Sequence, residues 1–205
     1  MLDIESLSPV PYRTIYLVRH GQYEPSITSP DSGDGPLTPL GREQAHRVGQ
    51  RMQGLELDII HHSTLIRATE TAEIIATYFT GVELRASALL KECLPSVPPS
   101  ARAWLGDGVS ASTLRRGDAQ ARRVYREWFQ PLAPGAIQGR RELVVSSGNL
   151  ISYLVCRMIG APGTQWVHAS IQHCGISEAL IGGGRGRLLL RHNDTGHLPA
   201  RMQTI

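Results

Sequence analysis

Apolar and polar positions along this chain keep switching between a strand period and a helix period. Thr14-Ile-Tyr-Leu-Val is a short apolar run rich in β-formers and predicts a buried strand. Residues 24–37 are crowded with Pro, Ser, Asp and Gly and predict a loop. Thr38-Pro39 then opens a helix, with Thr as N-cap and Pro at the first helical position. Running to about Gln53, that helix turns Leu40, Ala45, Val48 and Met52 to one face. Asp58-Ile-Ile-His predicts a second strand. Leu65 to Tyr78 predicts a helix, with Ala68, Ala72, Ile75 and Phe79 near helical spacing.

Val82-Glu-Leu-Arg-Ala reads as a third strand. Residues 93–117 hold prolines, glycines and serines without a period, a long irregular segment of the kind that carries function in compact domains. A helix is expected from Gln120 to Phe129, a strand at Glu142-Leu-Val-Val-Ser, and a helix from Asn149 to Ile159. Ile176–Ile181 and Arg187–Arg191 read as a strand pair. The turn between them, Gly182-Gly-Gly-Arg-Gly, has no helix behind it, so a hairpin fits better than a phosphate-cradling loop.

Strands alternating with helices predict an α/β fold, a mostly parallel central sheet with helices on both faces. No repeat or linker breaks residues 1–205, which are expected to form one domain. A chain of 205 residues buries enough surface to fold without staples.

Composition narrows the function classes. Net charge is +3, and Lys91 is the only lysine, every other basic residue being arginine. Codon bias explains that skew, and so does a demand for the planar guanidinium that grips phosphate or carboxylate. The basic residues are scattered and aromatic content is 5%, so a nucleic-acid partner is not expected. Cys93, Cys156 and Cys174 have no C-x-x-C spacing, which writes neither a zinc site nor a disulfide framework. No stretch of 18 apolar residues and no secretory leader is found, so no membrane partner is expected and a cytoplasmic location is.

In open α/β sheets, ligands bind beyond the carboxyl ends of the strands. That rule selects Arg19-His20-Gly21, Ser63-Thr64 with Arg67, and Ser146-Ser147-Gly148-Asn149. Arginines beside a helix N-terminus suit a doubly charged anion, and a neutral histidine there is a nucleophile. Each feature alone is more often an ordinary surface residue. Their convergence on one crevice is what favours chemistry.

These same residues carry a resemblance. Leu17-Val-Arg-His-Gly, Leu37-Thr-Pro-Leu-Gly-Arg-Glu-Gln-Ala, Ser63-Thr-Leu-Ile-Arg-Ala-Thr-Glu-Thr-Ala, Leu89-Leu-Lys-Glu, Val144-Val-Ser-Ser-Gly-Asn and Asn193-Asp-Thr-Gly look like the histidine phosphatase, or phosphoglycerate-mutase-like, superfamily. Arg-His-Gly-Gln-Tyr and Tyr153-Leu-Val-Cys-Arg draw it toward the branch of the mitochondrial serine/threonine protein phosphatase. A soluble relative without that enzyme's membrane-anchored extension is expected.

The resemblance implies that His20 becomes a phosphohistidine and that Arg19 and Arg67 clamp the phosphoryl oxygens. Gly21 and Gly148 fall at phosphate-binding positions and Glu92 at the proton-donor position. It implies no metal and no cofactor. One position departs: after the fourth strand the family places a second histidine, and this chain has Ser147. Serine donates one hydrogen bond and is never cationic, and losing one preorganised donor costs on the order of 10²–10³ in rate. His168, His173, His192 and His197 lie downstream as possible replacements.

The expectation is a phosphatase acting on a phosphorylated small molecule or phosphopeptide, with a homodimer allowed for. Its rivals are a phosphoglycerate-type mutase and, because of Ser147, a low-activity or inactive phosphate-binding scaffold. Gln22-Tyr23 stands where mutases carry Glu-Ser, which favours hydrolysis.

Overall fold

A computed structural model describes residues 11–26, 33–101, 108–182 and 186–205. Six strands form one sheet: β1 Tyr12–Arg19, β2 Ile59–Ser63, β3 Glu83–Ser87, β4 Arg140–Ser146, β5 Ile176–Gly182 and β6 Arg187–Asp194. Their order is β3-β2-β4-β1-β5-β6. The first four are mutually parallel, whereas β5 runs antiparallel to β1 and β6 antiparallel to β5. The central strands β1, β2 and β4 are buried along nearly their whole length, as expected where helices cover both faces. β3 is an edge strand and is mostly exposed.

Four helices of eight or more residues cover the sheet among the described residues: α1 Pro39–Met52, α2 Ile66–Ala76, α3 Ala111–Trp128 and α4 Gly148–Met158. One apolar cluster joins α1 and α2 to the sheet through Val18, Ala45, Val48, Ile60, Ala72, Ile75 and Val145. A second joins α3 and α4 to the opposite face through Ile15, Leu17, Ala121, Val124, Leu150 and Leu154. Ile15 and Ile60, one in each of these clusters on opposite faces of the sheet, are fully buried. Truncating either to alanine costs about 2–5 kcal/mol, because the packed layers cannot close the gap.

α1 begins as its sequence predicts: the Thr38 hydroxyl accepts the Gly41 N–H at 2.9 Å and Pro39 fills the first position. α3 corrects the expectation. It starts at Ala111, nine residues before Gln120, capped by Ser110 accepting from Thr113 N at 3.1 Å. Its first turns carry Arg115, Arg116 and Gly117 rather than a periodic apolar stripe, so the pattern is silent there. Gly117 is nevertheless buried, and a Cβ on it would sit 2.2 Å from the Leu94 carbonyl. A six-residue 3₁₀ turn, Gly163–His168, also escaped the pattern. The expected loops at 24–37 and 93–117 are described except for residues 27–32 and 102–107. The centre of the expected 182–186 turn lies outside the described residues.

Candidate active site

Of the segments chosen at the strand ends, Arg19, His20 and Arg67 line one cavity, and Ser146 and Gly148 lie against His20 and Arg19. Arg19 closes β1, and His20 N donates to Ser146 O at 2.9 Å, locking the ends of β1 and β4 together. His20 is buried. Its Nδ1 is 2.9 Å from the Gly21 carbonyl, an acceptor only, so Nδ1 carries the proton and Nε2 carries the lone pair. Arg67 Nε donates to that Nε2 at 3.0 Å. Burial, seconded by the nearby Arg67, Arg19 and His173 and opposed by the Gly21 carbonyl, holds the His20 pKa well below 6.5. At neutral pH this imidazole is uncharged and its Nε2 lone pair accepts from Arg67, and a neutral imidazole is the form that can attack phosphorus.

Arg67 leaves the first turn of α2. Its Nη1 donates to Asp34 at 2.9 Å, both side chains being almost wholly buried. Asp34 also accepts from Ile66 N at 2.9 Å and Gly35 N at 2.8 Å. Tyr23 lies 4.4 Å from the Arg67 guanidinium carbon by its ring centroid, and packs edge-on to His20 at 5.1 Å. Arg19 donates through Nη1 to Ile171 O at 2.7 Å and approaches His173 Nε2 with Nη2 at 3.2 Å. Its Nε has no protein partner among the described residues and lies over the start of α4, against Gly148.

Glu92 follows β3 and lines the same cavity, of ≈ 370 Å³, with Arg19, His20, Tyr23, Arg67 and Lys91. Its carboxylate takes backbone hydrogen bonds from Cys93 at 3.2 Å and from Leu150 at the start of α4. Enclosure by protein raises its pKa to about 7, against the lowering pull of Arg19, Arg67 and those two amides. The residue is nevertheless solvent-exposed, and water there works against that rise. A carboxyl titrating near neutrality serves as acid in one step and base in the next.

Two expected phosphate contacts are placed differently. Gly21 spends its N–H on Thr71 Oγ1 at 3.1 Å and its carbonyl on His20. A side chain there would meet the Gly41 carbonyl at 2.5 Å. Gly21 therefore brings β1's end tight against α1 and orients the His20 ring. Ser147 is fully buried, makes no side-chain cap to α4, and its hydroxyl has no partner among the described residues. Of the four downstream histidines, His173 places its ring 5.5 Å from that of His20. His192 bonds Ser177 at 2.8 Å and His197 the Cys174 carbonyl at 3.0 Å. Asp34 and the surroundings of His173 were missed by sequence reading. An acid in a Ser-Gly-Asp-Gly loop signals a turn before it signals an ion pair. Among the described residues no group of three or more His, Cys, Asp or Glu side chains is placed to hold a metal ion, and no helix is long and apolar enough to cross a membrane.

Comparison with known proteins agrees with this geometry. Residues 15–95 match the model of the histidine phosphatase superfamily, branch 1. The mitochondrial serine/threonine-protein phosphatase PGAM5 of Xenopus laevis is 32% identical over 97% of this chain and 71% of its own length. The Drosophila grimshawi enzyme of the same description is 31% identical over 98% of this chain and 70% of its own. In structure, a phosphoglycerate mutase from Plasmodium falciparum superposes with TM-score 0.62 at 25% identity, covering 93% of this chain and 96% of that one. A phosphoserine phosphatase from Entamoeba histolytica shares the fold, with TM-score 0.67 at 21% identity, over 91% of this chain and 100% of that one. The relatives' description as mitochondrial overturns the cytoplasmic location expected from the sequence. Motif, fold and relatives together place the chain in the histidine phosphatase superfamily, as a phosphoric monoester hydrolase.

Proposed function

We propose that this phosphatase works through a phosphohistidine on His20 and that its substrates are phosphoserine or phosphothreonine side chains of a protein. The mechanism rests on one observation: His20 is held as the Nδ1–H tautomer with Nε2 turned to Arg67 at 3.0 Å. The substrate class rests on the relatives, which are named as serine/threonine-protein phosphatases. In the first step His20 Nε2 forms the N–P bond while the bond from phosphorus to the side-chain oxygen breaks, and Glu92 gives its proton to that oxygen. In the second, Glu92 takes a proton from water, the water oxygen bonds to phosphorus, and the N–P bond breaks to release inorganic phosphate. Arg19 and Arg67 balance the charge on the non-bridging oxygens throughout, the main demand of phosphoryl transfer.

Rapid acid-free quenching with a ³²P-labelled phosphopeptide should leave label on His20, stable in base and lost in acid. His20→Ala should remove label and turnover together. An acid-stable label, or one on Ser147, sinks the proposal. The unpartnered Ser147 hydroxyl favours a second reading, a phosphate-binding protein with little turnover. Tight vanadate binding without hydrolysis of either a phosphopeptide or an aryl phosphate would establish it.

A further inference from the structure

His173 takes no part in the steps above, yet it touches the clamp. It sits in the turn before β5, where Cys174 adopts φ 55°, and it is buried. A guanidinium only donates, so Arg19 Nη2, at 3.2 Å, finds a lone pair on His173 Nε2. The proton of the neutral ring is then on Nδ1, 2.9 Å from Thr204 Oγ1. The backbone repeats the tie, His173 N donating to Thr204 O at 2.9 Å. Thr204 Oγ1 also accepts from Gln44 Nε2 at 3.0 Å, while Gln44 Oε1 accepts from Gln22 N at 2.8 Å. Hydrogen bonds thus link the loop after His20, through the body of α1, to Arg19, the donors from both ends converging on Thr204 Oγ1.

We infer that His173 is a positioning residue, whose neutral imidazole, braced by Thr204, aims the Arg19 guanidinium at the phosphoryl group. With Nη1 on Ile171 O and Nη2 on His173, rotation of the guanidinium is blocked and its unspent Nε–H is fixed against the start of α4. Arg19 and His20 at the end of β1 and Arg67 from α2 face His173, and Thr204 closes the other side. Burial and the two arginines lower its pKa to about 4, so it stays an acceptor at neutral pH. The inference rests on the phosphatase reading only in giving Arg19 a phosphoryl group to hold.

The test is a double-mutant cycle on hydrolysis of 4-nitrophenyl phosphate, with inorganic phosphate as competitive inhibitor. His173→Ala should lower kcat/KM by about 10–100-fold, the scale of a small misplacement of a catalytic group, and weaken phosphate inhibition in the same direction. His173→Gln, whose amide oxygen can accept from Arg19, should recover to within about 3-fold of wild type. In an Arg19→Ala background, His173→Ala should change kcat/KM by less than about 2-fold, since it has nothing left to aim. A full-sized effect in that background overturns the inference and makes His173 a direct donor to phosphate. A His173→Ala enzyme equal to wild type overturns it too. Should His173→Ala not fold, Thr204→Val against Thr204→Ser asks the same question: Val should act as a weaker His173→Ala, Ser as wild type, and equality of the two overturns the inference. A wild-type enzyme without turnover would sink the hydrolysis reading alone, and calorimetric phosphate binding would then carry the cycle.

Discussion

Asp34 Oδ1 lies 2.9 Å from Arg67 Nη1, and the same guanidinium reaches His20 Nε2 at 3.0 Å. One buried carboxylate thus sets the direction of a cation that in turn holds the nucleophile's lone pair in place. Asp34→Ala should cost about 3–5 kcal/mol of stability, because it leaves Arg67 charged, buried and unpaired. It should also lower kcat/KM by about 10²-fold through loss of aim. Urea unfolding and steady-state kinetics check the two effects separately. A variant unchanged in both would mean that Arg67 needs no tether.

The rate profile with pH should be one-sided over the usual range. Glu92 must be protonated to release the leaving group, and its pKa is raised to about 7. His20 must be neutral, and its pKa lies well below 6.5. Hence kcat/KM should be level in mild acid and fall by about tenfold per unit above pH 7. Glu92→Gln should lose that fall and sit on a lower, flat plateau. A wild-type rate that keeps rising above pH 8 would exclude Glu92 as the acid.

The same carboxyl should oppose stability. A folded pKa above the unfolded value means that the contribution is present in full below about 4.5 and is lost as pH rises through about 7. Glu92→Gln should therefore melt higher than wild type at pH 8 and nearly level with it at pH 4.5, read by circular dichroism. The reverse order would show that Arg19 and the α4 amides outweigh the burial.

Gly41, inside α1, gives a prediction against ordinary helix propensity. Alanine in an exposed helix interior is favoured over glycine by about 1 kcal/mol. Here a Cβ would stand 1.9 Å from the Gln22 carbonyl, so Gly41→Ala should destabilise by about 1–3 kcal/mol and lower activity by displacing the loop after His20. An alanine variant as stable as wild type would mean that this backbone approach is slack.

The fold was legible where burial writes a repeating pattern. β1 and β4 carry the short apolar runs Ile15–Val18 and Leu143–Val145, and β2 the pair Ile59–Ile60, because both faces of these strands are covered. α1 was bounded by a cap, a proline and a periodic face. α3 was found late because its first turns are held by a serine cap and a close glycine contact, neither of which has a period. In the site, His20, Arg19 and Arg67 were readable because strand-end positions are few and their side chains are chemically conspicuous. Asp34, Thr204 and the role of Gly21 were not, since their parts depend on which sequence-distant side chain comes within hydrogen-bond reach. The Ser147 hydroxyl shows the converse: a residue picked out in the sequence whose side chain the fold buries without a hydrogen-bond partner among the described residues.

The ties that close the site span long stretches of sequence. Arg19 is fastened to Ile171, 152 residues away, and the ends of β1 and β4 meet at His20 N and Ser146 O. Pairings this remote pay their loop-closure entropy before they return any stability, which slows folding. A form with β5 undocked would lose Cys174 and Ile176 from the apolar cluster around α1 and α2 but keep the rest of it, yet have no fixed Arg19. Catalysis is therefore a stricter witness of native structure than helix content is. During refolding, hydrolysis of an aryl phosphate should return with the slowest optical phase and never ahead of it.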